Sequence, residues 1–449
     1  MRRATFAFGE GIHGALGTGS RKSILTSPQE LKIDALRVFA GWYVSNLSRS
    51  RERVTRNDTH AHNRGHSAFM DNENTVHISG RYTGFRQIAY IGKMNEKFPN
   101  LTRFGSKFFE DGPDEHRVLM KDCAEVVCGV ALTCIVDKKG GIWCGGDNMY
   151  GQCGSGFSSE EDVWPLQRIR NTKNVTVSRA ALGLHHGLFV STNGELHVWG
   201  HNRSGQLGTG NTHPYTSARH LRGETLGHVR DVAAGLTHSA AMNDCGDVFV
   251  WGKQLHVEDV DEHLMRPKDQ ITPRLVEGLP EPAVSVKCGV HNTAILTESG
   301  RVFMIGRVSS SSNLSEIKLT DGGIYSDSNK SEKMNALAKK LPDLSPLPGV
   351  KPLSETHRVD GRELRVVGMT RMVLEPWEVT FPKGTVVKEL RDGFDGVVAI
   401  THDGKSLQCE VGKSPEAVAG SESLPENFII DDVAQGWKHT IFTGYYKEQ

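Results

Sequence analysis

Short runs of alternating apolar and polar residues fill most of the chain, and they come in pairs joined by turns such as Asn193-Gly194, Ser299-Gly300 and Asp403-Gly404. Period-two alternation about turns that need positive φ predicts β-hairpins. The hairpins belong to a longer repeat. With GLTHSAAMNDCGDVFVWG, Gly235 to Gly252, as the reference, three stretches align without a gap: GLHHGLFVSTNGELHVWG (Gly183 to Gly200), GVALTCIVDKKGGIWCGG (Gly129 to Gly146) and GVHNTAILTESGRVFMIG (Gly289 to Gly306). NRGHSAFMDNENTVHISG, Asn63 to Gly80, keeps the distance from His66 to its final glycine but lacks the leading one. GFDGVVAITHDGKSLQCEVG, Gly393 to Gly412, reads as a weaker copy two residues longer. GWKHTIFTGYYKEQ, from Gly436, ends before its second strand.

Anchors at 66, 132, 186, 238, 292, 396 and 439 define seven copies of about 50 residues, and the 104-residue interval holds no eighth that keeps the pattern. A unit of this size cannot bury its faces alone, so the copies must pack side by side. The truncated copy needs an apolar strand, a glycine and GxLGxG, which FAFGEGIHGALGTG, Phe6 to Gly19, supplies. Gly9 then aligns with Gly200 and Gly14 with Gly205. Gly9, Gly11 and Gly14 also have the spacing of a dinucleotide loop, but Gly17, Gly19 and Pro28 oppose the helix such a loop requires, so we assign them to the repeat. Completing the last copy with N-terminal strands closes a ring and removes a free sheet edge. The expected fold is all-β: a seven-bladed β-propeller closed by N- and C-terminal strands in one blade. One domain spans 1–449, with one irregular surface insertion at 308–375.

Composition narrows the chemistry. The 449 residues carry 53 basic and 53 acidic side chains, so no bulk charge draws the chain to nucleic acid or a membrane surface, and any such contact must be local. No apolar run approaches the roughly 18 residues of a membrane span, so no transmembrane segment is expected. MRRATFAFGEG lacks the apolar core of a secretory signal. The eight cysteines form no C-x-x-C pair, which argues against zinc. Cys134, Cys144, Cys245 and Cys288 lie in or beside apolar runs, as expected of small buried thiols in a reducing compartment. No P-loop lysine, Ser/His/Asp set or paired carboxylate stands out, and no cofactor is expected.

The pattern G-x-x-H-[ST], a strand pair, [VL]xWG and GQLGxG resembles the regulator-of-chromosome-condensation repeat family over nearly the whole chain; the G-H to W-D pattern of WD-type propellers is missing. GALG at Gly14 to Gly17 and YGQCG at Tyr150 to Gly154 are similar to the family's mitochondrial branch. This resemblance implies a non-enzymatic, mitochondrial scaffold that supports ribosome or ribonucleoprotein assembly, with protein partners that include a GTPase. A guanine-nucleotide exchange factor and a cytoplasmic or nuclear interaction propeller are the alternatives. In exchange-active members an acidic residue beside the repeat histidine touches the GTPase; here the preceding residues are Gly65, His185, Thr237 and Lys438.

Candidate partner-binding residues are the repeat histidines His66, His186, His238 and His439, for which the structural alternative is a hydrogen bond fixing the turn between strands. Candidate RNA-binding residues are Arg49, Arg51, Arg53 and Arg56 in the stretch NLSRSRERVTRNDTHAHNRGH, where arginines on a loop would meet phosphate oxygens of ribosomal RNA. His60 and His62 nearby have no carboxylate or thiol cluster to complete a metal site. Within the insertion, Met334, Leu337, Ala338 and Leu341 have the spacing of one helical face, docked on the propeller or offered to a partner.

Overall fold

Seven antiparallel sheets, each with at least four strands, follow one another around a closed ring. The computed structural model describes residues 2–12, 16, 22–41, 66–80, 117–130, 132–159, 163–223, 226–255, 260–261, 266–308, 317–319, 354–367, 371–393, 396–436 and 439–447. Blade 1 takes its first two strands from Phe428–Gln435 and His439–Tyr446 and its outer two from Arg3–Ile12 and Lys22–Glu30. Arg3 pairs with Tyr445 and Gly9 with His439, so the two ends of the chain share one sheet, as the truncated repeat requires.

Blades 2 to 7 begin with the inner strands Arg37–Ala40, Cys123–Cys128, Val177–Leu182, Val229–Ala234, Ala283–Cys288 and Val387–Asp392. Their registers repeat. In blades 2 to 6 the anchor residue pairs with, or lies level with, the glycine that ends the third strand: His66 with Gly80, Leu132 with Gly146, His186 with Gly200, His238 with Gly252 and Asn292 with Gly306. Four of these glycines and Gly9 of blade 1 are in the left-handed region, φ 98 to 126°, which a side chain would strain. The supposed dinucleotide glycine Gly9 is thus the counterpart of Gly200.

In blade 7, Val397 pairs with Cys409 and Ile400 with Ser406. That is the same register as the other blades, so this copy is not two residues longer; Glu410 stands at the glycine level. The stretch 308–375 is not irregular throughout. Its described part adds Ile317–Leu319, Ser354–Val359 and Arg362–Val367 to blade 6 outside the fourth strand, Met372–Glu378, to make a seven-stranded sheet. The expected helical face at Met334 to Leu341 lies outside the described residues.

The core is not inside the blades but between them. Seven apolar clusters each draw on two neighbouring blades, such as Leu188 and Val198 of blade 4 with Val232, Phe249 and Trp251 of blade 5. Trp199 and Trp251 are fully buried in these joints. A blade removed from the ring would expose both faces, so the ring folds as a unit. All eight cysteines are free thiols, most of them buried; Cys245, expected inside, is exposed because it occupies the Asn243–Gly246 turn. Among the described residues no helix is long and apolar enough to cross a membrane.

A candidate partner-binding face on the turn side of the ring

The turn from first to second strand and the loop from third to fourth strand leave each blade at the same end, because the anchor lies level with the third-strand glycine. We call this end the turn face. The repeat histidines begin the second strands just below it, yet they are not exposed: His66, His186, His238 and His439 are 5% exposed or less.

Each histidine bonds across a joint. Nε2 of His439 lies 2.9 Å from Ser67 Oγ, that of His66 3.0 Å from Thr133 Oγ1, that of His186 3.0 Å from Ser239 Oγ and that of His238 3.1 Å from Thr293 Oγ1. The partner is always the residue after the anchor in the next blade. The histidines therefore join blades, rather than fixing the turn between their own strands, and they are not available as partner contacts. Where the next blade lacks a hydroxyl, at Gly187 and Val397, the anchor is Leu132 or Asn292. Burial pushes the imidazole pKa of His66 and His186 down to about 3, with His439 adding to the effect on His66 and His238 to that on His186; burial also lowers His238 and His439 to about 4. All four are neutral at pH 7. Ser239 uses its proton on Gln206 O, 2.7 Å away, so it accepts from His186 Nε2–H.

The glycine three residues before the histidine exists to admit the ring. A Cβ on Gly183, Gly235 or Gly436 would lie 2.0 to 2.2 Å from the histidine Cε1. Blade 2 keeps this arrangement with Gly41, 2.1 Å from His66 Cε1, although 24 residues separate the two in sequence. The leading glycine absent from NRGH is there, beyond an inserted stretch. The GQxG loop has a matching role: Trp199 Nε1 donates to Gln152 O at 2.8 Å and Trp251 Nε1 to Gln206 O at 2.9 Å, each across a joint. Tryptophan ends the third strand only in the blades that follow these two loops.

Inside the ring the first strands line a cavity of about 780 Å³ whose walls carry six cationic and six anionic side chains. Comparison of the residue four before each leading glycine would have revealed the belt. Glu125, Asp231 and Asp432 stand there, and each accepts the N–H of the following position in the next blade: Ala180 at 3.1 Å, Val286 at 3.3 Å and Val38 at 3.1 Å. Arg179 faces Glu125 at 3.8 Å, Lys287 faces Asp231 at 3.4 Å, and Arg391 bonds Asp432. Burial raises the Glu125 pKa, against the pull of Arg179. With equal numbers of opposite charges the channel does not select one sign of ion. Near the turn face Val130, Leu184, Leu236 and Val290 cluster, while Leu184 N–H donates to Leu236 O and Leu236 N–H to Val290 O. The channel wall is thus a joint between blades, apolar at one end.

What remains exposed on the turn face is loop. Met149, Tyr150 and Phe157 of blade 3 are 41%, 40% and 48% exposed. Their loop is held by Asn148, which accepts Cys153 N–H and donates to Phe157 O, and by Gln152, which accepts Tyr150 N–H. Tyr150 packs 4.7 Å from His185 and 4.8 Å from His201, centroid to centroid. The corresponding positions in blade 4 are Arg203, Ser204 and Asn211. Further round, a pocket of about 220 Å³ between blades 5 and 6 is lined in part by Thr237, Lys253, His291, Asn292 and Arg307. Asn292 Oδ1 is buried there without a hydrogen-bond partner.

Arg49, Arg51, Arg53 and Arg56, with His60 and His62, lie outside the described residues; the chain leaves at Gly41 and returns at His66, both at the turn face. No group of three or more His, Cys, Asp or Glu among the described residues could hold a metal ion.

Comparison with known proteins bears on this ring. The regulator of chromosome condensation (RCC1) repeat matches residues 193–242 and, in a second form, residues 177–206, which cover blade 4 and the start of blade 5. The probable E3 ubiquitin-protein ligase HERC6 of Homo sapiens is 31% identical over 186 residues, 40% of this chain and 18% of the ligase. The ultraviolet-B receptor UVR8 of Arabidopsis thaliana is 27% identical over 205 residues, 44% of this chain and 45% of the receptor. The chain thus spans less than half the length of these curated relatives. Human WBSCR16 superimposes over the whole of both chains with a TM-score of 0.64 at 17% identity. Prp20p of Saccharomyces cerevisiae, described with its binding properties to Gsp1p and histones, does so over this whole chain and 92% of its own, with a TM-score of 0.64 at 15% identity. At these identities the structures share the fold.

Proposed function

We propose that this chain, an RCC1-like propeller carrying RCC1 repeats, is a non-catalytic scaffold that binds protein partners through its turn face, in mitochondria, in the service of ribosome or ribonucleoprotein assembly. One observation carries the scaffold reading: the repeat histidines are consumed in the blade joints, while Met149, Tyr150 and Phe157 stand exposed on a hydrogen-bonded loop. Large apolar side chains held on a rigid loop are what protein interfaces use as anchors. The compartment and the assembly role rest on GALG and YGQCG, the latter within this same loop.

The experiment is affinity purification of the tagged chain from fractionated cells, beside the double variant Tyr150→Ser, Phe157→Ser. The reading expects mitochondrial assembly factors or ribosomal intermediates with the wild type and their loss with the variant. An unchanged set of bound proteins, or a purely nuclear location, overturns it. The RNA part has its own test. Replacing Arg49, Arg51, Arg53 and Arg56 by Ala removes four charges, so RNA binding should weaken and its salt dependence flatten as fewer counterions are released; an unchanged affinity and salt slope removes RNA from the proposal.

Control of a GTPase by nucleotide exchange is the second reading, supported by the fold shared with Prp20p. Against it, the described residues just before the anchors, His185, Thr237 and His291, include no carboxylate. Accelerated release of GDP from a mitochondrial GTPase by the purified chain would favour exchange over scaffolding.

A further inference from the structure

The residue that follows the third-strand glycine occupies an equivalent place in every blade. Its N–H donates to the carbonyl of the residue before the anchor: His201 to His185 O at 2.7 Å, Lys253 to Thr237 O at 3.0 Å and Arg307 to His291 O at 2.9 Å. Repetition of one backbone geometry therefore sets these side chains on an arc of the turn face, over blades 4, 5 and 6. The same place holds Glu10 in blade 1 and Asp147 in blade 3, so the face is polarised, acidic on one side and basic on the other. The pocket between blades 5 and 6 lies on the basic side. Lys253, His291 and Arg307 are exposed at its rim, and none of the residues lining it is acidic. The carboxylate nearest in the bonding scheme, Asp269, is engaged by Gln254 N–H at 3.0 Å.

We propose that this pocket receives a carboxylate side chain from an acidic segment of a protein partner lying along the arc of His201, Lys253 and Arg307. The proposal rests on the reading that partners dock on the turn face, and it names the chemistry of one contact there. Lysine and arginine supply charge-assisted donors. Asn292 Oδ1, buried without a partner, supplies an acceptor. A peptide carries both complements, the carboxylate for the cations and a backbone N–H for the amide oxygen, whereas a bare phosphate carries only the first. Two strong cations are also few for a nucleic acid, whose affinity comes from many phosphate contacts.

The test is fluorescence anisotropy of a labelled hexaglutamate peptide titrated with the full chain at low ionic strength. Wild type should bind, and Lys253→Glu with Arg307→Glu should weaken binding by at least about tenfold. Lys173→Glu, an exposed charge at the opposite, hairpin end of the ring, should leave it unchanged. All variants should keep the wild-type melting temperature, and the neutral pair Lys253→Gln, Arg307→Gln should fall between. Failure of the wild type to bind, equal binding by the charge-reversed variant, or tighter binding of oligouridylate than of the peptide at the same residues overturns the proposal. Retention or loss of partners by the Tyr150 and Phe157 variant reads the docking face separately, so the two can fail independently.

Discussion

His186 of blade 4 donates through Nε2 to Ser239 of blade 5 at 3.0 Å, and Ser239 passes its own proton to the Gln206 carbonyl that also receives Trp251. Four residues from three repeat motifs meet at one joint. Removing either side chain leaves a buried polar group unpaired, which costs about 1–3 kcal/mol. His186→Ala and Ser239→Ala should each lower the urea midpoint, and the double variant should lose less than the two losses added, because each single change already breaks the same bond. Strict additivity would show that the pair is not coupled.

The glycine and the histidine of G-x-x-H should be coupled in the opposite sense to ordinary neighbours. At Gly436 the three nearest atoms to an added Cβ all belong to the His439 ring, at 2.2, 2.7 and 2.8 Å. Gly436→Ala should therefore destabilise by roughly 1–3 kcal/mol, as overpacked cores do. In a His439→Ala background the same change should cost much less. Equal cost in both backgrounds would place the strain in the backbone rather than in the ring.

The repeat number, the split blade and the shared register of Gly9 and Gly200 were legible because they depend on spacing, which the sequence displays directly. The partner of the histidine was legible in principle. His66, His186, His238 and His439 each stand one copy before Thr133, Ser239, Thr293 and Ser67, a match seen only by comparing adjacent copies instead of aligning them. Gly41 escaped notice because 24 residues interrupt a turn that the structure keeps tight. Glu410 escaped because a glycine two residues later offered a tempting alternative end. The acidic belt of the inner strands was missed for a different reason: Glu125, Asp231 and Asp432 look like the polar half of an amphipathic strand, and only the ring shows that both sides of these strands are enclosed.

Acid should weaken the ring through its histidines. Their folded pKa values, about 3 for His66 and His186 and about 4 for His238 and His439, lie below the unfolded value of 6.5. Between these limits the unfolded chain binds more protons, so stability rises with pH; it is complete above pH 6.5 and falls as pH drops toward 4. The urea midpoint should decline steeply from pH 6.5 to 4.5, and His186→Gln should make that decline shallower. A flat profile over the interval would show that the rings do not titrate on unfolding.

Closure of the ring gives the sharpest test of the fold. Arg3–Ile12 lies between His439–Tyr446 and Lys22–Glu30, and it brings Ala4, Phe6 and Ala7 into the two apolar clusters on either side of blade 1. Arg3 also bonds Asp431 at 2.7 Å. Deleting Met1 to Gly19 leaves Lys22–Glu30 without its neighbour and opens the edge of His439–Tyr446, a strand of Phe442 and Ile441 that would then pair with other chains. Because the core is made of joints, loss of one strand weakens both joints that blade 1 makes, with blade 2 and with blade 7. The truncated chain should melt well below the full one and aggregate on purification. Adding the deleted segment back as a separate peptide should restore part of the melting temperature, as binding to the folded state alone stabilises it. A truncated chain that melts as the full chain does would mean that the N-terminal strand is not part of the closure.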